Sequence, residues 1–137
     1  MTKILVGIFI LILLSILGWA FMVTTPKFNM NDTNRILSEG DSYFSMSYHH
    51  QDQTISAKSF SGLDTFFTLD GGSTIDIELN ITLSSGQMRV VWISPDNIIH
   101  DLKDGVNTLE LMPGKHRLKV VGNRANFELS YRLSDNF

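Results

Sequence analysis

Four histidines and fourteen acids are the residues of this 137-residue chain whose types could do chemistry. His49-His50-x-Asp52 places two imidazoles and a carboxylate within four positions, with His100 and His116 farther along. A zinc site needs about three or four converging ligands. Successive strand residues point to opposite faces, so His49 and His50 share an ion only across a turn. The segment reads as a solvated hairpin, and no metal is expected. Asp96, Asp101 and Asp104 fall in loops around one strand, a placement that could suit calcium, which takes oxygen ligands. The spacing is not of DxDxDG type, and Asp104-Gly105 reads as turn chemistry. There is no cysteine and no GxSxG elbow, and the serines form no pattern with histidine. Asp76 and Glu78 lie two apart on one strand face and read as solvated. Paired carboxylates for glycoside hydrolysis need a defined separation across a cleft, which spacing does not supply. No catalytic residue and no cofactor are expected.

Two further groups bear on binding. Trp92 with Tyr43, Tyr48 and Tyr131 could line a sugar-stacking face, but aromatics in alternating strands read first as core, Trp92 above all. The second group is basic. Lys3 and Lys27 flank an apolar run, which leaves nine of the eleven basic residues against the fourteen acids. That balance is acidic and excludes a general nucleic-acid binder. Five of those nine, Lys115, Arg117, Lys119, Arg124 and Arg132, nevertheless fall within the last stretch of the chain. Lys115, Arg117 and Lys119 alternate with His116, Leu118 and Val120, so a strand projects them as one row. Gly122-Asn123 reads as a turn that brings Arg124 and Arg132 alongside on a hairpin partner. Pairing with acids such as Glu128 is one reading of the row. Contact with an anionic surface, lipid headgroups or a wall polymer, is the other.

The element that positions everything else is Ile4–Val23, about twenty residues without a charge. This is the length an α-helix needs to cross a bilayer core. The helix is the state in which backbone groups pair within hydrocarbon. Trp19 near one end suits the interface. The run continues past the small-residue site Gly18-Trp19-Ala20, which favours a retained signal anchor over a cleaved signal peptide. The expected organisation is a signal anchor or transmembrane helix over 1–27, a polar linker over 28–40 and an extracytoplasmic domain over 41–137. Without cysteine, that domain must be held by its core alone. Asn31-Asp32-Thr33 and Asn80-Ile81-Thr82 match the glycosylation acceptor pattern.

From Asp41 onward the hydrophobic period is two. Strands are predicted over Tyr43–Tyr48, Thr54–Phe60, Asp64–Leu69, Thr74–Thr82, Met88–Ile93, Ile98–Leu102, Asn107–Met112, Lys115–Val120 and Ala125–Leu133. Ser61-Gly62, Ser84-Ser85-Gly86, Pro113-Gly114 and Gly122-Asn123 are among the turn signals between them. Thr74–Thr82 alternates most cleanly, with Ile75, Ile77, Leu79 and Ile81 on one side. Eight to nine short strands with turns about every ten residues predict an all-β fold, an antiparallel β-sandwich of jelly-roll or immunoglobulin-like kind. Ile77, Leu79, Trp92, Leu118 and Phe127 are expected in its core.

The order of signals over Ile75–Leu133 is a strand into Ser84-Ser85-Gly86, then MRVVWISPDNII, a Leu-x-Leu strand into Pro113-Gly114 and a last hairpin. It resembles the bacterial pre-peptidase C-terminal type of jelly roll, and small membrane-anchored β-sandwich proteins of Gram-positive bacteria. What the resemblance implies is an accessory or binding module and not a catalyst. The sequence therefore leads to the expectation of a single-pass, membrane-anchored extracytoplasmic module that binds or scaffolds at the cell envelope. Its partners would be the membrane, through the N-terminal helix, and an envelope protein or anionic polymer. The alternative is a secreted carbohydrate- or calcium-binding module.

Overall fold

The computed structural model describes residues 26–135 together with Ile8, Ile10, Ile12 and Leu13. Apart from those four, the apolar run expected to form the anchor lies outside the described residues. Among the described residues no helix is long and apolar enough to cross a membrane. Between residue 26 and residue 135 the short helix α1 (Thr33–Leu37) is followed by seven strands: β1 (Ser42–Phe44), β2 (Ser47–Gln51), β3 (Thr54–Asp70), β4 (Thr74–Ile93), β5 (Ile99–Leu102), β6 (Gly105–Glu110) and β7 (Lys115–Asp135). The fold is all-β, as expected, and every strand pair is antiparallel.

Among the described residues the strand count is seven rather than eight or nine. Three predicted turns are not turns. Ser61-Gly62, Ser84-Ser85-Gly86 and Gly122-Asn123 lie inside β3, β4 and β7, which are 17, 20 and 21 residues long. Arg124 and Arg132 therefore sit on the same strand as Lys115, not on a hairpin partner. The predicted strand Tyr43–Tyr48 is instead split into β1 and β2.

β7 occupies the middle of the sheet, between β3 and β4, and β5 closes the path β1-β3-β7-β4-β5. β1 and β2 share the outer edge of β3, while β5 and β6 share that of β4. The misread turns form a line across the three long strands. Gly62 pairs with Gly122, and Gly122 pairs with Met88. Register shifts flank that line, between Ala57 and Gly62 on β3 and between Leu83 and Gln87 on β4. Ser59, Gly62, Gly86 and Arg124 take positive φ there. Such bulges bend a strand and raise its twist. Here they line up, and the sheet creases.

The crease folds the sheet upon itself. Thr65 pairs with Lys119, and Tyr131 lies twelve residues farther along β7. On a flat strand that is about 40 Å, yet the rings of Phe66 and Tyr131 are 5.0 Å apart. The architecture is thus sandwich-like, with both layers made from the two halves of the same three strands.

The inner face holds the main core. Ile55, Phe60, Ile77, Leu79, Leu118, Phe127 and Leu129 are buried there. Trp92, expected in the core, packs against it while remaining half-buried. The alternation of Thr74–Thr82 holds: Ile75, Ile77 and Leu79 are buried and Glu78 is exposed.

A second core lies on the outer face. Leu63, Val91, Ile93 and Val121 are covered there by Phe28 and Ile36, which come from the segment read as a linker. Asp32 caps α1 by accepting from the Arg35 N–H, satisfying one of the donors a helix start leaves free. The Phe28 N–H donates to Asn123 Oδ1 at 3.0 Å. Arg89 ties the same segment down, donating to the Met30 carbonyl at 2.6 Å while its other nitrogens hold Asp101.

Candidate functional site

The alternation of β7 does separate Lys115, Arg117 and Lys119 from His116, Leu118 and Val120, which face the main core. The row is solvated only at its start, with Lys115 exposed, Arg117 half-buried and Lys119 buried. Residues 36–41 lie against it. α1 ends at Leu37, so the carbonyls of Leu37 and Ser38 have no helical partner. Arg117 donates to both, at 3.0 and 2.9 Å, and Lys119 Nζ donates to the Ser38 carbonyl at 2.6 Å.

Lys119, read as projecting outward, is fully buried. Its ammonium lies 3.5 Å from Asp41 Oδ1. Burial lowers its pKa from the ordinary lysine value, and the Asp41 carboxylate opposes that shift. Asp41 is fixed in turn by the Thr65 N–H and hydroxyl, both donating at 3.0 Å. A buried charge is tolerated when paired and hydrogen-bonded in this way.

Beside this network a polar cleft of about 400 Å³ opens between residues 39–41, the second half of β3, the start of β7 and the turn after β4. Lys115 and Arg117 provide cations, and Thr65, Thr68 and Ser94 hydroxyls. Asn97 adds an amide, and Glu39 and Asp41 carboxylates. Lys115 is exposed and Arg117 half-buried. Of the five basic residues singled out by sequence, these two line the cleft and Lys119 lies buried beside it. Arg124 lies at the crease, where its backbone N–H donates to Ser61 Oγ at 2.8 Å. Arg132, exposed on the far half of β7, pairs with Glu78 at 2.8 Å.

The other candidates do not converge. His50 meets the Tyr131 hydroxyl at 3.0 Å, and His49 is exposed on the same strand. His116 is buried, with Nδ1 accepting from the Trp92 indole N–H at 2.9 Å and Nε2 donating to the Met112 carbonyl at 2.7 Å. Those two bonds fix one neutral tautomer. His100 stacks on Trp92 with centroids 4.2 Å apart and reaches Ser94 Oγ at 3.2 Å. Asp96 bonds the Ser94 hydroxyl, Asp101 holds Arg89, and Asp104 accepts the Ile81 N–H. Among the described residues no three such side chains gather as metal ligands do. Tyr131 is buried, Tyr48 half-buried, and Tyr43 exposed at the sheet edge.

One titrating pair was invisible in the sequence. The Tyr48 hydroxyl donates to Asp64 Oδ2 at the margin of the inner core. Burial raises the Asp64 pKa above its ordinary 3.8, against the lowering effect of the Tyr48 bond. The Tyr48 pKa is also pushed up, first by burial and then by the bond to Asp64. A carboxyl whose folded pKa exceeds its unfolded one adds stability at low pH. That stability is fully present below the unfolded value and is lost as pH rises through the folded value. At neutral pH the Asp64 charge is thus a standing cost. Asp64→Asn retains an acceptor for Tyr48 and removes the charge. Denaturant titration from pH 3 to 7 should show neutral-pH stability no lower than the parent's, and a shallower loss of stability as the pH rises from acid. Marked destabilisation at pH 7 would show instead that the charge is needed. No family model matches the chain, and no curated protein is found to be similar to it.

Proposed function

We propose that the protein is a membrane-anchored, extracytoplasmic binding module of the cell envelope, and that the cleft beside Lys115 and Arg117 takes an anionic, hydroxyl-bearing envelope polymer. The apolar run Ile4–Val23 supports the anchor. The creased sheet supports the sandwich reading. The observation that carries the binding reading is the cleft lining: two cations beside three hydroxyls and an amide. Its volume lies within the range of small-ligand sites. Cations attract acidic groups of a polymer, while hydroxyls and an amide can exchange hydrogen bonds with its hydroxyls. Of the two carboxylates in the lining, Asp41 is paired with Lys119, while Glu39 opposes anions and favours a ligand that presents its charge toward Lys115.

The test uses the full-length chain in detergent, with an anionic wall polymer and a neutral polysaccharide immobilised in parallel. Binding should be anion-selective and should weaken with salt, because exposed charges are screened. At about 1 kcal/mol per unit of charge, Glu39→Gln should tighten binding roughly fivefold and Lys115→Glu should weaken it by more than that. Arg117 and Lys119 are left intact because they hold α1. Equal binding by parent and both variants would refute the cleft as the site.

A further inference from the structure

The edge of the sheet that carries β1 gathers exposed apolar side chains close together in sequence. Three large apolar side chains stand exposed within four residues: Tyr43 at 45%, Phe44 at 40% and Met46 at 56%. The strand is broken there, between β1 and β2, so the segment is a poor template for pairing with another strand. A shallow groove of about 230 Å³ runs beside it, lined by Pro26, Lys27, Phe28, Arg35, Tyr43 and Phe44 among others, with no carboxylate in its lining. Arg35 donates to Ser42 Oγ at 2.7 Å, and its guanidinium lies 4.8 Å over the Phe28 ring. The cation is thus fixed next to the apolar edge.

We infer that this edge docks on the headgroup layer of the membrane in which Ile4–Val23 is held. The inference rests on the anchored reading above. Three arguments choose lipid over other occupants. The first is reach. Only Thr24 and Thr25 lie between Val23 and Pro26, and an extended chain covers at most about 11 Å over those three steps. Pro26 lines the same groove as Tyr43 and Phe44, so the edge lies where the chain leaves the bilayer. The second is composition. Tyr and Phe place an apolar body at the boundary of the hydrocarbon, and a tyrosine hydroxyl remains among the headgroups. The third is charge. Lys27 and Arg35 are both exposed and complement anionic headgroups. Each contact is weak alone. The anchor makes docking intramolecular, so weak contacts suffice to orient the domain. The sheet then stands on its β1 edge, with the β6 edge directed away from the lipid.

The absence of cysteine allows single-site labelling of the full-length protein. Met46→Cys reports the docking edge, and Val106→Cys, on a β6 residue 57% exposed, reports the far edge. Each variant carries an environment-sensitive fluorophore and is reconstituted into phosphatidylglycerol–phosphatidylcholine vesicles, with and without doxyl-labelled lipid. Alkaline carbonate extraction of the same vesicles reads the anchor separately. The expected result is retention after extraction, blue-shifted emission and doxyl quenching at position 46, and neither change at position 106. Adding Lys27→Glu and Phe44→Ser should abolish quenching at 46 while leaving circular dichroism and retention unchanged. Retention with both labels unquenched would overturn the docking and leave the anchor standing. A shifted position 46 without lipid quenching, accompanied by energy transfer between labelled copies, would assign the edge to a second copy and overturn it too. Release by carbonate would remove the anchor, and the inference with it.

Discussion

Gly86→Ala should destabilise the protein by about 3 kcal/mol or more, which is large against the stability of a small domain. Gly86 has φ +79°, and a Cβ built on it lies 2.2 Å from the Arg124 carbonyl oxygen. The backbone conformation alone costs a residue with a side chain about 1–3 kcal/mol. The clash adds to this, because the obstacle is backbone of β7 and not a rotatable side chain. The crease cannot shift at one strand without disturbing its neighbours. Gly40→Ala is the control, since a Cβ there meets nothing within 4 Å, and it should stay within about 0.5 kcal/mol. Denaturant midpoints at unchanged slope would measure both. Equal midpoints for Gly86→Ala and Gly40→Ala would mean that the crease is soft and that bulge geometry does not hold the two layers together.

Phe60→Ala should cost about 3–5 kcal/mol, the range for removing a buried phenylalanine. Phe60 is fully buried beside the crease. Its ring meets Tyr43 and Tyr48 at 5.1 and 5.7 Å and Phe127 edge-on at 5.7 Å. It also sits against Gly122, where a Cβ would come 2.6 Å from the ring. Phe60 therefore fills the inside of the bend, where the two layers diverge from a common line and no backbone can collapse into the space. Phe60→Leu should recover more than half of the loss. If Phe60→Ala cost under about 1 kcal/mol, the ring would be incidental to the bend and the bulges alone would set it.

Much of the inner face was legible in the sequence because it depends on a local rule. Alternation assigned Ile75, Ile77, Leu79, Leu118 and Phe127 to the core, and all are buried. The three long strands were not legible. Ser61-Gly62, Ser84-Ser85-Gly86 and Gly122-Asn123 have the composition of turns, and glycine with serine or asparagine suits a bulge as well as a reversal. Whether the chain turns back or continues is decided by the strand beside it, which is remote in sequence. The surroundings of the basic row were illegible for a related reason. Its separation from the core side was right, but neither reading of its other side, pairing with acids or contact with an anionic surface, included the carbonyls of Leu37 and Ser38. Phe28 and Ile36, eight residues apart in an aperiodic segment, gave no signal that they would cover the sheet. Lys119 is buried because the Ser38 carbonyl and Asp41 arrive to meet it, and nothing within β7 announces them.

The central position of β7 also sets the order in which the protein can assemble. β3 and β4 are consecutive in the chain and yet do not pair; each waits for residues 115–135 to fill the space between them. Until those residues arrive, two long apolar strands have their main partner missing, and the sheet's largest interfaces cannot begin to form. A chain that emerges from its N-terminal end therefore cannot complete the sheet until its last strand is available. Local hairpins such as β2–β3 and β4–β6 can form early, but closing the sheet is a late, long-range event, and such topologies fold slowly. The same arrangement leaves unpaired strand edges exposed in the interval, the condition under which aggregation competes with folding.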